Sequence, residues 1–153
     1  MSYQIVVGVD GSDHSQHALR WAIEEAEIRH AELTTVFAWQ FPLIGIPGAF
    51  DRDSLEAEAK QFLTAEVAAS QPPKDLTINT VVAQGDPSAS LLAACQNANA
   101  DLLVIGSRGR EGFVGLLLGS VGQECAVHAP CPVVIVKDTR ETGTRASTDQ
   151  SGT

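Results

Sequence analysis

The sequence predicts an α/β fold: a doubly wound, five-stranded parallel sheet in the order 3-2-1-4-5, with helices on both faces. Three observations predict it. Short β-branched runs alternate with stretches of helical spacing along the whole chain, and a βαβαβαβαβ order implies a parallel sheet. The first run, Tyr3 to Val9, is apolar on both of its alternating faces, as a strand buried inside such a sheet would be. The most polar glycine-bearing turns, Asp10-Gly11-Ser12 and Gly106-Ser107-Arg108-Gly109, follow the first and fourth runs. Right-handed crossovers make those two strands neighbours at the point where the winding reverses, and open α/β sheets bind ligands there.

Each element has its own signal. After the first strand, Ala18, Leu19, Ala22, Ile23 and Ala26 fall on one face of a helix from Asp13 to about His30, with Asp13 and Gln16 spaced as a capping box. Leu33 to Trp39 reads as the second strand. Gln40 to Arg52 holds Pro42, Gly45, Pro47 and Gly48 and reads as a long loop of the kind that serves as a lid or binding element. Asp53 and Glu56 cap a second helix carrying Leu55, Ala59, Phe62, Leu63 and Val67, which ends before Pro72-Pro73. Leu76 to Ala83 is the third strand. Asp86 followed by Pro87 opens a helix through about Asn99, since proline is pre-set for the first helical position. Leu102 to Ile105 is the fourth strand, Ser120 to about His128 the last helix, and Val133 to Val136 the fifth strand. Asp138 to Thr153 has no large apolar side chain and reads as a disordered polar tail, which leaves residues 1–137 as one domain.

Composition narrows the function. A chain of 153 residues, 44% hydrophobic and 19% charged, can bury one ordinary core and needs no disulfide or metal staple. Ten basic against 19 acidic residues give a net charge of -9, which repels nucleic-acid backbones and anionic lipid. Neither DNA, RNA nor a membrane is therefore expected as a partner. No apolar stretch is long enough to span a bilayer, and the start lacks the basic and apolar regions of a signal peptide. Cys95, Cys125 and Cys131 form no C-x-x-C pair, so they read as small buried residues of a cytoplasmic protein.

The segment Gly106 to Ser120 carries the chemistry. Gly106 and Gly109 leave the fourth strand and Gly119 precedes the last helix, so the backbone N–H groups can turn toward an anion without side-chain obstruction. Ser120, with Gln123 at capping-box spacing, is the expected N-cap, and the positive end of that helix suits a phosphate. Arg108 and Arg110 are the nearest cations. Glycines in such a segment commonly serve as turn residues alone. Their place at the reversal point, before a helix N-terminus, shifts the reading to a ligand without identifying it.

Other chemistries fail on the sequence. There is no Gly-Lys dipeptide, hence no Walker A loop, and no G-x-G-x-x-G after the first strand. Leu118 stands where a G-x-S-x-G nucleophile elbow needs glycine, and a triad from Ser120 and His128 has no support in the spacing. His14 and His17, with no acidic partner on their face, read as a solvated helix surface rather than a metal site. Asp10 has two readings that stay open: a carboxylate for a ribose, base or phosphate-borne metal, or an Asx-turn opening the first helix.

At these residues the chain resembles the universal stress protein family. Ile5-Val-Val-Gly-Val-Asp-Gly-Ser12 is similar to the family's first strand and turn, and His128-Ala-Pro-Cys-Pro-Val-Val-Ile-Val136 to its ending. Gly106, Gly109, Gly119 and Ser120 match the pattern G-x2-G-x9-G-[ST] in full, which marks the family's ATP-binding subgroup. The resemblance runs from about Tyr3 to Lys137. It implies an adenine nucleotide α-hydrolase-like fold, and a nucleotide site at the carboxyl ends of strands 1 and 4. By position, Gly8, Val9 and Asp10 would face the adenosine and Ala38 the adenine. Gly106, Ser107 and Gly109 would contact ribose and phosphates; Gly119, Ser120 and Val121 would hold the phosphate tail. The resemblance implies ATP with Mg²⁺, which would reach Asp10 through the metal, with AMP or cyclic AMP as the other ligands seen in relatives. It also implies a homodimer paired through Val133 to Val136.

No base is evident that would orient a water on the γ-phosphate, so the expected function is an ATP-binding stress-response sensor or switch. The alternatives are a slow ATPase or autophosphorylating protein, or a nucleotide-independent stress-induced interaction module.

Overall fold

A computed structural model describes residues 1–40, 51–109 and 118–137. Most of the expected loop after the second strand, Arg110, and the expected tail from Asp138 lie outside the described residues.

The five strands are β1 (Gln4–Gly8), β2 (Glu32–Trp39), β3 (Ile78–Gln84), β4 (Leu102–Gly106) and β5 (Val133–Val136). All pair in parallel in the order β3-β2-β1-β4-β5. Between them run α1 (Asp13–Arg29), α2 (Arg52–Ala69), α3 (Pro87–Ala98) and α4 (Ser120–His128). The predicted architecture and strand order are the observed ones, with boundaries moved by one or two residues. Leu76 and Thr77 in particular precede β3 rather than belonging to it.

Alternation along β1 divides the core. Ile5 and Val7 face one side, with Leu19, Ala22 and Ile23 of α1 and Leu63 of α2. Val6 faces the other, with Leu91, Ala94 and Cys95 of α3 and Cys125 of α4. Ile5, Val6 and Val7 are all fully buried, as an interior strand of a parallel sheet covered on both faces requires. Reversal of the winding sends α1 and α2 to one face and α3 and α4 to the other, leaving a crevice beyond the carboxyl ends of β1 and β4.

Three caps differ from the expected ones. Ser12, not Asp13, is the N-cap of α1: its Oγ accepts from Ser15 N at 3.1 Å. Asp13 becomes the acidic first-turn residue, and the Gln16 amide reaches across to Glu66 on α2 instead of closing a capping box. Asp51 precedes α2 in place of Asp53, and Ser54 Oγ donates to its carboxylate at 3.3 Å. Gly119, not Ser120, is the N-cap of α4, and Gln123 Nε2 donates to Leu118 O at 3.0 Å rather than completing a box. In each case neighbouring residues compete for one cap position, and the helix starts one or two residues early. The Asp86 cap of α3 is as expected, accepting from Ala89 N at 3.0 Å with Pro87 in the first turn.

Candidate functional site

The crevice is built from the first turn outward. Val9 N donates to Val36 O at 2.8 Å, so β1 stays tied to β2 up to the bend. Asp10 then closes an Asx-turn: its Oδ1 accepts from Ser12 N at 2.9 Å and from Ser12 Oγ at 2.5 Å. Asp10 N donates to Ser15 Oγ at 3.2 Å, which fixes the turn on the first turn of α1. Gly11 sits at φ +84°, where a side chain would be strained, and a Cβ there would also meet the Phe62 ring at 2.9 Å. Phe62 in turn packs on Phe37, ring centroids 4.7 Å apart, so α2 and β2 brace the turn from behind.

Across the crevice, β4 ends in contact with α1. A Cβ on Gly106 would lie 2.8 Å from the backbone carbon of His14, so only glycine permits this approach. Ser107 follows as a junction. Its N donates to Val136 O at 2.9 Å, its O accepts from Gly119 N at 2.8 Å, and its Oγ shares a hydrogen bond with His14 Nδ1 at 3.3 Å. One residue thereby fastens β5, the start of α4 and the start of α1. His14 is 9% exposed, which corrects the expectation of a solvated histidine. It lies four residues before Ala18 on the buried face of α1, and its ring is held behind the crevice wall. His17 is different: its Nδ1 lies 2.9 Å from Asp13 O on its own helix.

The third wall is the start of α4. Gln123 N makes the first backbone bond to Gly119 O, at 3.0 Å, and no side chain caps the helix. The N–H groups of Ser120, Val121 and Gly122 precede that bond and have no partner within the helix. Those three residues line the crevice.

All ten residues singled out in the sequence line this one crevice. Gly8, Val9 and Asp10 come from the end of β1, and Ala38 from β2. Gly106, Ser107 and Gly109 come from the end of β4, and Gly119, Ser120 and Val121 from the start of α4. Gly119 has φ -70°, so no left-handed conformation demands glycine there. A Cβ there would meet Arg108 Cα and Ser107 O at 3.7 Å, ordinary contact, so packing among the described residues does not demand glycine either. Ser120 and His128, the first and last residues of α4, stand about 12 Å apart along the helix, which removes the dyad.

Sequence reasoning missed the apolar wall. Pro87 and Leu91 of α3, with Val36 and Ile105, close the crevice on one side. The only trace of Leu91 in the sequence is Gly8, where a Cβ would come within 3.2 Å of the leucine methyls. Asp10 is the one carboxylate among the described lining residues, and Arg108 the one cation. Among the described residues no three His, Cys, Asp or Glu side chains are grouped to hold a metal. A cation here would have to be carried largely by its ligand.

The universal stress protein family's model matches residues 1–137. The chain belongs to that family. A universal stress protein of Mycobacterium tuberculosis is 33% identical over 135 residues, covering 88% of this chain and 45% of its own length. The chain thus spans less than half the length of that relative. A universal stress protein of Thermus aquaticus is 33% identical over 137 residues, with 87% of this chain and 97% of that protein covered. Among solved structures, a universal stress protein in complex with cAMP is 28% identical, covers 88% of this chain and 96% of its own, and superposes with TM-score 0.63. In this universal stress protein the Gly106–Gly109 and Gly119–Ser120 segments are therefore two walls of one crevice at the reversal point of the family fold. No helix among the described residues is long and apolar enough to cross a membrane.

Proposed function

We propose that this universal stress protein binds an adenine nucleotide in the crevice and acts as a sensor or switch, with ATP and Mg²⁺ as its ligand. The observation that carries the reading is the start of α4, which no side chain among the described residues caps and whose first residues line a glycine-walled crevice with Asp10. That arrangement favours phosphate, whereas the Leu91, Val36 and Ile105 wall favours a flat apolar base. The likeness to a family member solved with cAMP supports the adenine. Gly119, Ser120 and Val121 would then take the phosphates, Ser107 and Gly109 the ribose side, and Gly8, Val9, Asp10 and Ala38 the adenosine. Magnesium would supply charge neutralisation of the phosphates, with Asp10 the one carboxylate among the described lining residues. His14 is buried against Ser107 and is not among the crevice-lining residues, which favours binding over hydrolysis.

Thermal-shift and calorimetric titrations with Mg²⁺-ATP, AMP, cyclic AMP and adenosine test the reading. A ligand at a hundredfold excess over its dissociation constant should stabilise the fold by about 2.7 kcal/mol. ATP should bind more tightly than adenosine because only ATP reaches the start of α4. Absence of binding by every adenine nucleotide would overturn the proposal and leave an interaction module.

A further inference from the structure

Away from the crevice, toward the amino ends of the strands, the three cysteines share one patch of core. Cys95 on α3 and Cys125 on α4 are fully buried, and Cys131, just before β5, is half-buried against the same cluster. Backbone bonds set the first and last side by side. Ala100 N donates to Cys95 O at 2.9 Å, which seats the end of α3 on the entry to β4. Leu103 N donates to Pro132 O at 3.0 Å, which lays the entry to β5 along that same stretch. Both side chains enter the same packed cluster there, Cys95 within it and Cys131 against it. The metal alternative has no support, because the three thiols do not form a group able to hold an ion.

We propose that Cys95 and Cys131 are a modification site: a dithiol that hydrogen peroxide converts to an intramolecular disulfide. Cys131 reacts first, because it is the half-exposed member of the pair. Its sulfur attacks one peroxide oxygen, the O–O bond breaks, and the leaving hydroxide takes the thiol proton as water. This leaves Cys131 as the sulfenic acid. Cys95 Sγ then attacks Cys131 Sγ; the S–O bond breaks and hydroxide departs with the Cys95 proton as a second water. Two thiols and one peroxide become one disulfide and two waters, and an external dithiol reverses the change. Burial pushes the Cys95 thiol up to about 12 and Cys125 up to about 11. Burial raises Cys131 as well, and outweighs the lowering influence of the neighbouring Cys95. Reaction is consequently slow beside that of a dedicated low-pKa thiol, and the site responds to sustained exposure. The product ties the end of α3 to the entry of β5.

The full chain is incubated under native conditions with hydrogen peroxide, quenched with an alkylating reagent and mapped by mass spectrometry. The expected result is a Cys95–Cys131 linked peptide, an intact mass lower by two hydrogens, and full reversal by dithiothreitol. Cys125 should remain alkylatable after denaturation, and Cys125→Ala should keep the link. Cys95→Ala should strand Cys131 as a sulfenic acid that dimedone captures. A wild-type protein in which Cys131 passes to the sulfinic acid, links to Cys125 or joins a second chain would overturn the proposal. So would one in which no link forms. The wild-type map decides the matter even where a variant fails to fold.

Discussion

Asp10 and Gly109 meet across the crevice: a Cβ on Gly109 would lie 2.9 Å from Asp10 Oδ2. The other oxygen, Oδ1, is committed to Ser12 in the turn. Both sequence readings of Asp10 are thus compatible, one oxygen serving the Asx-turn while the other faces Gly109. Gly109→Ala should push that carboxylate aside and weaken Mg²⁺-ATP roughly tenfold, about 1.4 kcal/mol. If the effect passes through Asp10, Gly109→Ala should cost nothing further in an Asp10→Ala background. Calorimetry on the four proteins checks this, and additive losses would show that Gly109 touches the ligand independently.

Gly119 separates space from conformation. With φ -70° and no atom within 3.7 Å of a Cβ, Gly119→Ala should change apo stability by less than about 1 kcal/mol in urea denaturation. Its methyl would nonetheless occupy volume at the start of α4. Affinity for ATP should fall at least about tenfold while adenosine binding is unchanged. Equal losses for both ligands would place the phosphates elsewhere.

Gly106 should behave in the opposite way. Its missing Cβ is replaced by the His14 backbone at 2.8 Å, and backbone yields less readily than a side-chain end. Gly106→Ala should cost about 1–3 kcal/mol through overpacking, and should loosen the Ser107–His14 hydrogen bond. A denaturant midpoint equal to that of the wild type would mean that α1 moves away from β4 without penalty.

The fold was legible because its signals are local and repeated. Buried strands such as Ile5-Val6-Val7 read as apolar on both faces, and handed crossovers then order the sheet. The glycine walls were legible as turn glycines at the strand ends; Gly8, Gly106 and Gly109 mark close approaches, whereas Gly119 does not. His14 was misread because two histidines at i,i+3 suggested a surface. Extending the Ala26, Ala22, Ala18 series back by four residues would have placed His14 on the buried face. Leu91 and Pro87 could not be found, because α3 reaches the crevice only after the chain has crossed from the far edge of the sheet. Caps slipped by a residue or two wherever neighbours such as Ser12 and Asp13 could each serve.

Asp86 makes one stretch of stability depend on acid. Hydrogen bonds from Ser88 first, then Ala89 N, hold its carboxyl below the usual carboxylate range. A folded-state pKa below the unfolded one gives stability that is present above the unfolded value. That stability is lost as pH falls through the folded one. The side chain is exposed, so the effect should sit at the low end of an N-cap's worth, about 0.5–1 kcal/mol. Asp86→Asn should retain most of the cap at neutral pH and remove this part of the loss below about pH 4. Denaturation curves at pH 7 and pH 3.5 check it, and identical acid sensitivity in both proteins would remove Asp86 as a contributor.

The last prediction concerns the edge of the sheet. β5 pairs only with β4 among the described strands, so one side of Val133–Val136 presents unpaired backbone groups. We propose that a second copy of the chain covers it, giving a homodimer about a two-fold axis. Replacing the valines by charge would be a poor test, because Val134 and Val136 pack on one face of the sheet and Val133 and Ile135 on the other. A backbone test avoids this. Pro132 O and Val136 O accept from β4-side donors, so alternation turns the N–H groups of Val133 and Ile135 to the open edge. Val133→Pro removes an outward donor while leaving the β4 ladder intact. Light scattering at micromolar concentration should give the mass of two chains for the wild type and of one for Val133→Pro, with unchanged helix and strand signal. A strictly monomeric wild type would sink the dimer, and a Val133→Pro protein that stays dimeric would move the interface off β5.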